Sequence, residues 1–254
     1  MKIIRYHEGT HQAWGVLGED QDIRRATGSP FVDLKPGDKI GSLDEFRLLT
    51  PVAPSKIICV GRNYREHAAE FGNPVPEEPL LFLKPPSAIV GSGDDVIYPA
   101  LSRRVDHEAE LVIVVGRTAH RVHSSEAWSV VGGYTCGNDV TARDIQKSDG
   151  QWTRGKGFQT FCPLGPWVVT EFDPTDVRVT CTVNGETRQD GRTSALIFDI
   201  PFLIEYISRF TRLEVGDVIM TGTPEGVGPV EVGDTMTVQV EGLGSLVNRV
   251  VTEE

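Results

Sequence analysis

Glu108 and Glu110 stand two residues apart at the head of an apolar run, Leu111-Val112-Ile113-Val114-Val115, that ends at Gly116. The run is rich in β-branched residues and bounded by glycine, which predicts a buried strand. Residues i and i+2 of a strand point to one face, so the spacing predicts two carboxylates side by side at the mouth of a buried element. Two like charges so close need a counter-charge, most simply a divalent cation held by oxygen. Asp139, in Gly137-Asn138-Asp139-Val140-Thr141-Ala142-Arg143-Asp144, is a candidate third oxygen ligand. A solvated strand end would give the same spacing, so the pair alone leaves both readings open. His107 adjoins Glu108, but strand alternation turns it to the opposite face, and it is not counted as a ligand.

His67 and Glu70 lie three apart in a short segment, around Tyr64–Phe71, that reads as helical. On a helix they share a face. A carboxylate beside an imidazole orients its tautomer and raises its basicity, as a base that activates water requires. An exposed helix with scattered polar groups would show the same spacing. Lys156 sits between Gly155 and Gly157. Flanking glycines let backbone approach a ligand, and a lysine there suits a substrate carboxylate or a developing oxyanion; a surface-loop lysine is the plainer alternative. Thr221-Gly222-Thr223-Pro224 opens a Gly-rich stretch that lacks the lysine and helix of a phosphate loop. Its hydroxyl and amide groups, Thr223 among them, suit a carboxylate, and a tight turn suits them equally. Arg143 and Gln146 follow Asp139 closely; Arg143 is placed either to pair with an acidic neighbour or to bind substrate.

The elements that must position these groups are mostly strands. At 254 residues, with 39% hydrophobic and 24% charged residues, the chain can bury a large core and is not expected to be disordered. Its 27 Gly and 16 Pro favour turns and short strands over long helices. Residues 1–50 read as a small N-terminal β-rich domain, with strands at Lys2–Tyr6 and Trp14–Leu17 and a turn at Asp33–Asp38. Pro51-Val52-Ala53-Pro54 reads as a linker into a catalytic domain spanning 51–254. That domain opens with a strand at Lys56–Gly61. The Pro-rich stretch Asn73–Pro79 follows the His67 segment and suits a mobile cover over a site. Leu80–Leu83 reads as a strand. Val177–Val183 alternates and runs into Asn184-Gly185, a strong hairpin signal. Ile200–Phe210 is the best helix candidate. Glu-Val-Gly-Asp occurs at 214–217 and again at 231–234, which predicts repeated turn chemistry.

The formal net charge is -11. With no basic patch, nucleic-acid binding and attachment to an anionic membrane are excluded as expectations. A site for an anion must therefore be locally electropositive, through a metal, Lys or Arg. Cys59, Cys136, Cys162 and Cys181 lack CxxC spacing and sit in or beside apolar runs. Residues 1–7 carry no apolar h-region and no stretch approaches membrane-spanning length, so a reducing, cytoplasmic setting is expected.

Taken together, these segments resemble the fumarylacetoacetate hydrolase family. The matching pieces are Val60-Gly61-Arg62-Asn63-Tyr64 with His67 and Glu70, Asp106–Leu111, Gly137–Asp144, Gly155-Lys156-Gly157-Phe158 with Phe161–Pro166, and Thr221–Pro224 with Gly226-Val227-Gly228. The resemblance spans about residues 55–250, and five ordered motifs make chance a poor explanation. It implies an α+β, strand-rich fold, a mixed β-sandwich roll with few short helices, and a homodimer. It also implies a Mg²⁺ (or Mn²⁺) site on Glu108, Glu110 and Asp139, a water-activating dyad in His67 and Glu70, and a substrate-side lysine in Lys156. Arg62, Tyr64, Arg143, Gln146 and Thr223 are the candidate substrate-binding residues. Gln159 departs from the family pattern, where many members carry Asp; this bears on hydrogen bonding around Lys156 and not on the metal site.

The implied activity is metal-dependent C–C hydrolysis or decarboxylation of a small 2-oxo acid, of acylpyruvate type or oxaloacetate. An isomerase/decarboxylase of aromatic-ring breakdown, acting on an unsaturated dicarboxylate such as 2-hydroxyhepta-2,4-diene-1,7-dioate, is the alternative. A 2-oxo-acid-binding protein without turnover is a further one, and the intact dyad speaks against it.

Overall fold

Short apolar segments broken by glycine and proline pair into sheets and leave room for only a few helices. A computed structural model describes residues 1–70, 72 and 74–253. The N-terminal segment forms β1 (Lys2–Glu8), β2 (His11–Leu17), β3 (Asp22–Thr27), β4 (Lys35–Ser42) and β5 (Leu48–Leu49). Then come β6 (Ile57–Gly61), α1 (Arg65–Glu70), β7 (Leu80–Lys84), β8 (Ile89–Val90), β9 (Asp95–Tyr98), β10 (Val105–His107) and β11 (Ala109–Val115). They are followed by β12 (Val131–Asn138), β13 (Thr141–Ala142), α2 (Arg143–Asp149), α3 (Thr153–Lys156), β14 (Cys162–Val169), β15 (Arg178–Val183) and β16 (Glu186–Arg192). The chain closes with α4 (Ile200–Phe210), β17 (Val218–Met220), β18 (Gly228–Val230), β19 (Thr235–Val240) and β20 (Gly244–Thr252). Phe71, the predicted end of the His67 helix, and Asn73, the predicted start of the Pro-rich stretch, lie outside the described residues.

The largest sheet runs in the order β4-β3-β2-β1-β14-β12-β11-β17-β6-β7, and a second runs β16-β15-β19-β20-β9. A small third sheet, β13-β10-β18, bridges near the site. The N-terminal strands join the large sheet where β1 pairs antiparallel with β14, and they keep a small core of their own around Ile4, Tyr6, Leu17 and Ile23. Strand β11 is buried on both faces. Leu111, Ile113 and Val115 pack with β15, β19 and α4, whereas Val112 and Val114 pack with Ile57, Cys59, Leu164 and Met220. Burial on both faces explains why the run is continuously apolar and does not alternate.

Several expectations are met in detail. The hairpin turn at Asn184-Gly185 has φ of 53° and 82° at its two central residues, the left-handed pair that an Asn-Gly turn supplies. Helix α4 starts at Asp199, whose side chain accepts from the Phe202 N–H (2.9 Å), with Pro201 in its first turn. Both Glu-Val-Gly-Asp tetrads form one turn: Asp217 N–H donates to Glu214 O and Asp234 N–H to Glu231 O, each at 3.0 Å. In both, the aspartate carboxylate accepts from the glutamate N–H at 2.8 Å. Asp33–Asp38 departs from expectation, because Pro36-Gly37-Asp38 lies inside β4. β4 is an edge strand with two register shifts against β3, a place where a proline lacking its N–H is tolerated. Among the described residues, no helix is long and apolar enough to cross a membrane.

Strand directions gather the site. β11 runs antiparallel to both β12 and β17, with Ala109 opposite Asn138 and Val112 opposite Met220. β6 runs parallel to β17, with Cys59 beside Met220. The start of β11 therefore meets the ends of β12, β17 and β6. Glu108, Asp139, Thr223 and Arg62 sit on the loops that leave that edge.

Candidate active site

Glu108 is not inside a strand but at a break between β10 and β11. Side chains and loop backbone replace the missing ladder there. Glu108 N–H donates to Asn138 Oδ1 (2.9 Å), and Glu108 O accepts from Asp139 N–H (2.8 Å). Ala109 N–H donates to Gln189 Oε1 (2.9 Å), and Ala109 O accepts from the Thr223 hydroxyl (2.8 Å). The break keeps Glu108 and Glu110 on the same side and brings them to Asp139. Carboxylate oxygens of the three buried residues lie within 4.8 Å of one another.

These carboxylates are compensated unevenly. Lys156 Nζ donates to Glu108 Oε2 (2.8 Å) and Asp139 Oδ2 (2.5 Å). Lys84, fully buried, donates to Asp139 Oδ1 (2.5 Å) and Val140 O (3.0 Å). Arg143 bridges Asp106 (2.8 Å) and Glu108. Burial alone would raise the Glu108 pKa, but Lys156 and Arg143 overcome it and hold the carboxyl well below its ordinary value. Glu110 has no cation against it among the described residues; it accepts one bond, from Gly222 N–H (2.7 Å). Burial first, then the charge of Asp139, pushes its pKa well above the ordinary value. A buried carboxylate trio with one member lacking a positive partner fits a divalent cation, which takes oxygen ligands and would hold Glu110 ionised. The triad could therefore hold a metal ion.

A cavity of about 330 Å³ opens over the triad, lined also by Arg62, His67, Gln146, Lys147, Trp152 and Thr223. His67, on α1, is buried, and its Nδ1 lies 3.5 Å from Glu70 Oε2. Glu70 Oε1 is held in turn by Gly226 N–H (3.2 Å). Burial lowers the His67 pKa from 6.5; the Glu108 charge opposes this and the Arg143 charge adds to it. The imidazole therefore stays neutral, and able to accept a proton, to lower pH than an ordinary histidine. We expect kcat/KM for a reaction that uses His67 as base to hold down to below pH 6.5 and then to fall about tenfold per pH unit. A pH–rate profile checks this, and an acid limb starting above pH 7 would contradict it.

The remaining predicted residues divide. Arg143 is committed to acidic neighbours and to Gln146 Oε1 (2.7 Å), so Gln146, which lines the cavity, has its amide protons left to offer a ligand. Thr223 lines the cavity, but its proton goes to Ala109 O and it accepts from Gln189 Nε2 (2.7 Å). A lone pair is all its hydroxyl can offer a ligand. Tyr64 is buried and lines not this cavity but a separate groove with Asp190, Arg192 and Leu196; burial first, then the Glu110 charge, raises its pKa. Lys156 ends the one-turn helix α3 and is buried, not a surface-loop lysine. Gly155 serves packing, since a Cβ there would sit 2.8 Å from the Gln146 backbone. Gln159 is exposed, and the bonds of Lys156 run to Glu108 and Asp139.

Sequence reasoning passed over Lys84, Asp106, Trp152 and Gln189. Lys84 closes a strand before Pro85-Pro86, and nothing local marks it as buried. Trp152 forms a wall: its indole meets Phe82 edge-on at 5.2 Å and so closely covers Gly61 that a Cβ there would clash at 2.6 Å. The ammonium of Lys156 lies 5.0 Å from the Phe82 ring centroid.

The comparisons with known proteins return the same strand-rich fold. Residues 56–251 match the family described as fumarylacetoacetate (FAA) hydrolase C-terminal, and residues 1–51 match the one described as Rv2993c-like, N-terminal. This chain belongs to the fumarylacetoacetate hydrolase family, a family of enzymes. It is 47% identical over 242 residues to Protein Rv2993c of Mycobacterium tuberculosis, covering 93% of this chain and 91% of that protein. It is 43% identical over 220 residues to the human mitochondrial oxaloacetate tautomerase FAHD2A, covering 82% of this chain and 70% of that protein. The crystal structure of 5-carboxymethyl-2-hydroxymuconate delta-isomerase from Mycobacterium smegmatis superposes with a TM-score of 0.93 at 46% identity, covering 100% of both chains.

Proposed function

We propose that this chain is a Mg²⁺- or Mn²⁺-dependent enzyme that forms the enolate of a small 2-oxo acid, by hydrolytic or decarboxylative C–C cleavage. The observation that carries this reading is the buried triad in which Glu110 makes no ion pair among the described residues, set in one cavity with His67. A divalent cation held by Glu108, Glu110 and Asp139 would bind the substrate carboxylate and polarise the 2-oxo group. In hydrolysis of an acylpyruvate, His67, held by Glu70, takes a proton from water, and the hydroxide adds to the distal ketone. The C–C bond between that carbonyl and the methylene then breaks, its electron pair forming the pyruvate enolate, which is protonated at carbon. Lys156 and the Gln146 amide, which line the same cavity, would stabilise charge developing on the oxo-acid end. With oxaloacetate the same enolate forms by loss of carbon dioxide, and no attacking water is needed.

The cavity mouth bears on substrate choice. Arg62, with a left-handed φ of 57°, lies over the Trp152 ring at 5.9 Å, and exposed Lys147 lines the same cavity. Among the described residues neither makes an ion pair, in a chain of net charge -11. Two cavity-lining cations without an ion pair favour a substrate with a second carboxylate, such as oxaloacetate, over one with a neutral tail. A second reading is proton transfer alone, tautomerisation or isomerisation of a 2-oxo dicarboxylate, with His67 carrying the proton. The names of the similar tautomerase and delta-isomerase support it.

A Mg²⁺/EDTA-controlled assay with acetylpyruvate and oxaloacetate tests these readings by following enol absorbance and pyruvate. Metal-dependent pyruvate from either substrate is the expected result. Loss of enol absorbance from oxaloacetate without pyruvate would favour tautomerisation. No metal-dependent change with either substrate would overturn the 2-oxo acid reading.

A further inference from the structure

We propose that Gln189 is a positioning residue that sets the spacing of the metal-binding carboxylates; this rests on the reading of Glu108, Glu110 and Asp139 as a metal site. Gln189 comes from the other sheet. It is the one buried residue in the pattern of β16, whose neighbours are exposed or half-buried. Its side chain crosses to the break between β10 and β11 and uses its full hydrogen-bonding capacity there. Oε1 accepts from Ala109 N–H (2.9 Å) and from His107 Nδ1 (3.0 Å). Nε2 donates to Thr223 Oγ1 (2.7 Å) and to Pro224 O (2.8 Å).

The amide orientation follows from these partners. Ala109 N–H can only donate and Pro224 O can only accept, so Oε1 must face the first and Nε2 the second. His107 must then carry its proton on Nδ1. One amide thus grips both residues flanking Glu108 and, through Thr223 and Pro224, the loop whose Gly222 N–H holds Glu110. Glycine makes the approach of β16 to that loop feasible: a Cβ on Gly226, at φ +89°, would stand 2.0 Å from Arg188 O. The break in the strand places Glu108, and without Gln189 the freed Ala109 N–H and His107 Nδ1–H lose their acceptor in a buried setting. The strand would then close up or shift to satisfy them, and the carboxylate spacing would change with it. Groups that orient metal ligands in this way typically govern affinity by 10–100-fold.

The test measures Mn²⁺ affinity by titration calorimetry for wild type, Gln189→Leu and Val179→Ala, with unfolding midpoints recorded in EDTA. Val179 is buried in the neighbouring β15 and belongs to the main core, so its truncation destabilises the same sheet without touching these bonds. The expected result is Mn²⁺ binding weakened about 10–100-fold in Gln189→Leu and unchanged in Val179→Ala at a comparable or larger loss of stability. Wild-type affinity in Gln189→Leu, or affinity that falls with stability in both variants, would overturn the positioning role alone. A wild type that binds no Mn²⁺ would overturn the metal reading and this inference with it.

Discussion

Glu110→Gln is expected to abolish the response of this protein to divalent cations while leaving its metal-free fold at least as stable as wild type. Glu110 is buried, faces Asp139 and Glu108, and has a single backbone N–H for support. Glutamine keeps the shape and an acceptor oxygen for Gly222 N–H but offers no charge to a cation. A ligand at 100 times its Kd stabilises a fold by about 2.7 kcal/mol, so Mg²⁺ should raise the wild-type unfolding temperature and leave the variant unmoved. Activity should fall by at least about a hundredfold.

The metal-free comparison has a definite pH sign. The folded pKa of Glu110 lies above the ordinary 4.5. Stability associated with its proton is fully present below pH 4.5 and is lost as pH rises through the folded pKa, because the unfolded chain releases the proton first. Metal-free wild type should therefore lose up to about 1.4 kcal/mol per pH unit from this group above pH 4.5, and the advantage of Glu110→Gln should grow with pH. Denaturant unfolding in EDTA from pH 4 to 8 measures this. A variant less stable than wild type at pH 7, or one that keeps the Mg²⁺ shift, would contradict the role given to Glu110.

The second large effect is expected at His67. His67→Ala should reduce hydrolysis of acetylpyruvate by about 10²–10⁴-fold, the range for loss of a positioned base. Pyruvate formation from oxaloacetate by loss of carbon dioxide should persist, since that route needs no activated water. The side chain lies in the cavity with the triad and does not belong to the hydrophobic core, so its loss should not unfold the chain. Steady-state rates on both substrates decide it. Equal loss of both would remove the division of labour and assign His67 a proton transfer common to the two reactions, as tautomerisation requires.

Local patterns made part of this site legible. The two-residue spacing of Glu108 and Glu110, the apolar run after them and the three-residue spacing of His67 and Glu70 all report which side chains share a face. The Asn-Gly hairpin, α4 and the paired tetrads were readable for the same reason, since each is specified within a few residues. The strand break at Glu108 was not, because it depends on Asn138 and on Gln189, which lies 80 residues from Ala109. Lys84 was missed likewise: its partner Asp139 is 55 residues away, and a strand-ending lysine ordinarily faces water. The burial of Lys156 depends on Phe82 and Trp152 closing over it, a tertiary fact that its flanking glycines do not announce. Thr223 lines the cavity, but the commitment of its hydroxyl to Ala109 and Gln189 is visible only once the strands are paired.

The most direct measurement of the central claim is an anomalous difference map from crystals grown with Mn²⁺. A single strong peak within coordinating distance of carboxylate oxygens from Glu108, Glu110 and Asp139 is the result expected. A map with no peak there, and Lys156 still bonded to both Glu108 and Asp139, would contradict the assignment of this cavity as a metal-dependent active site.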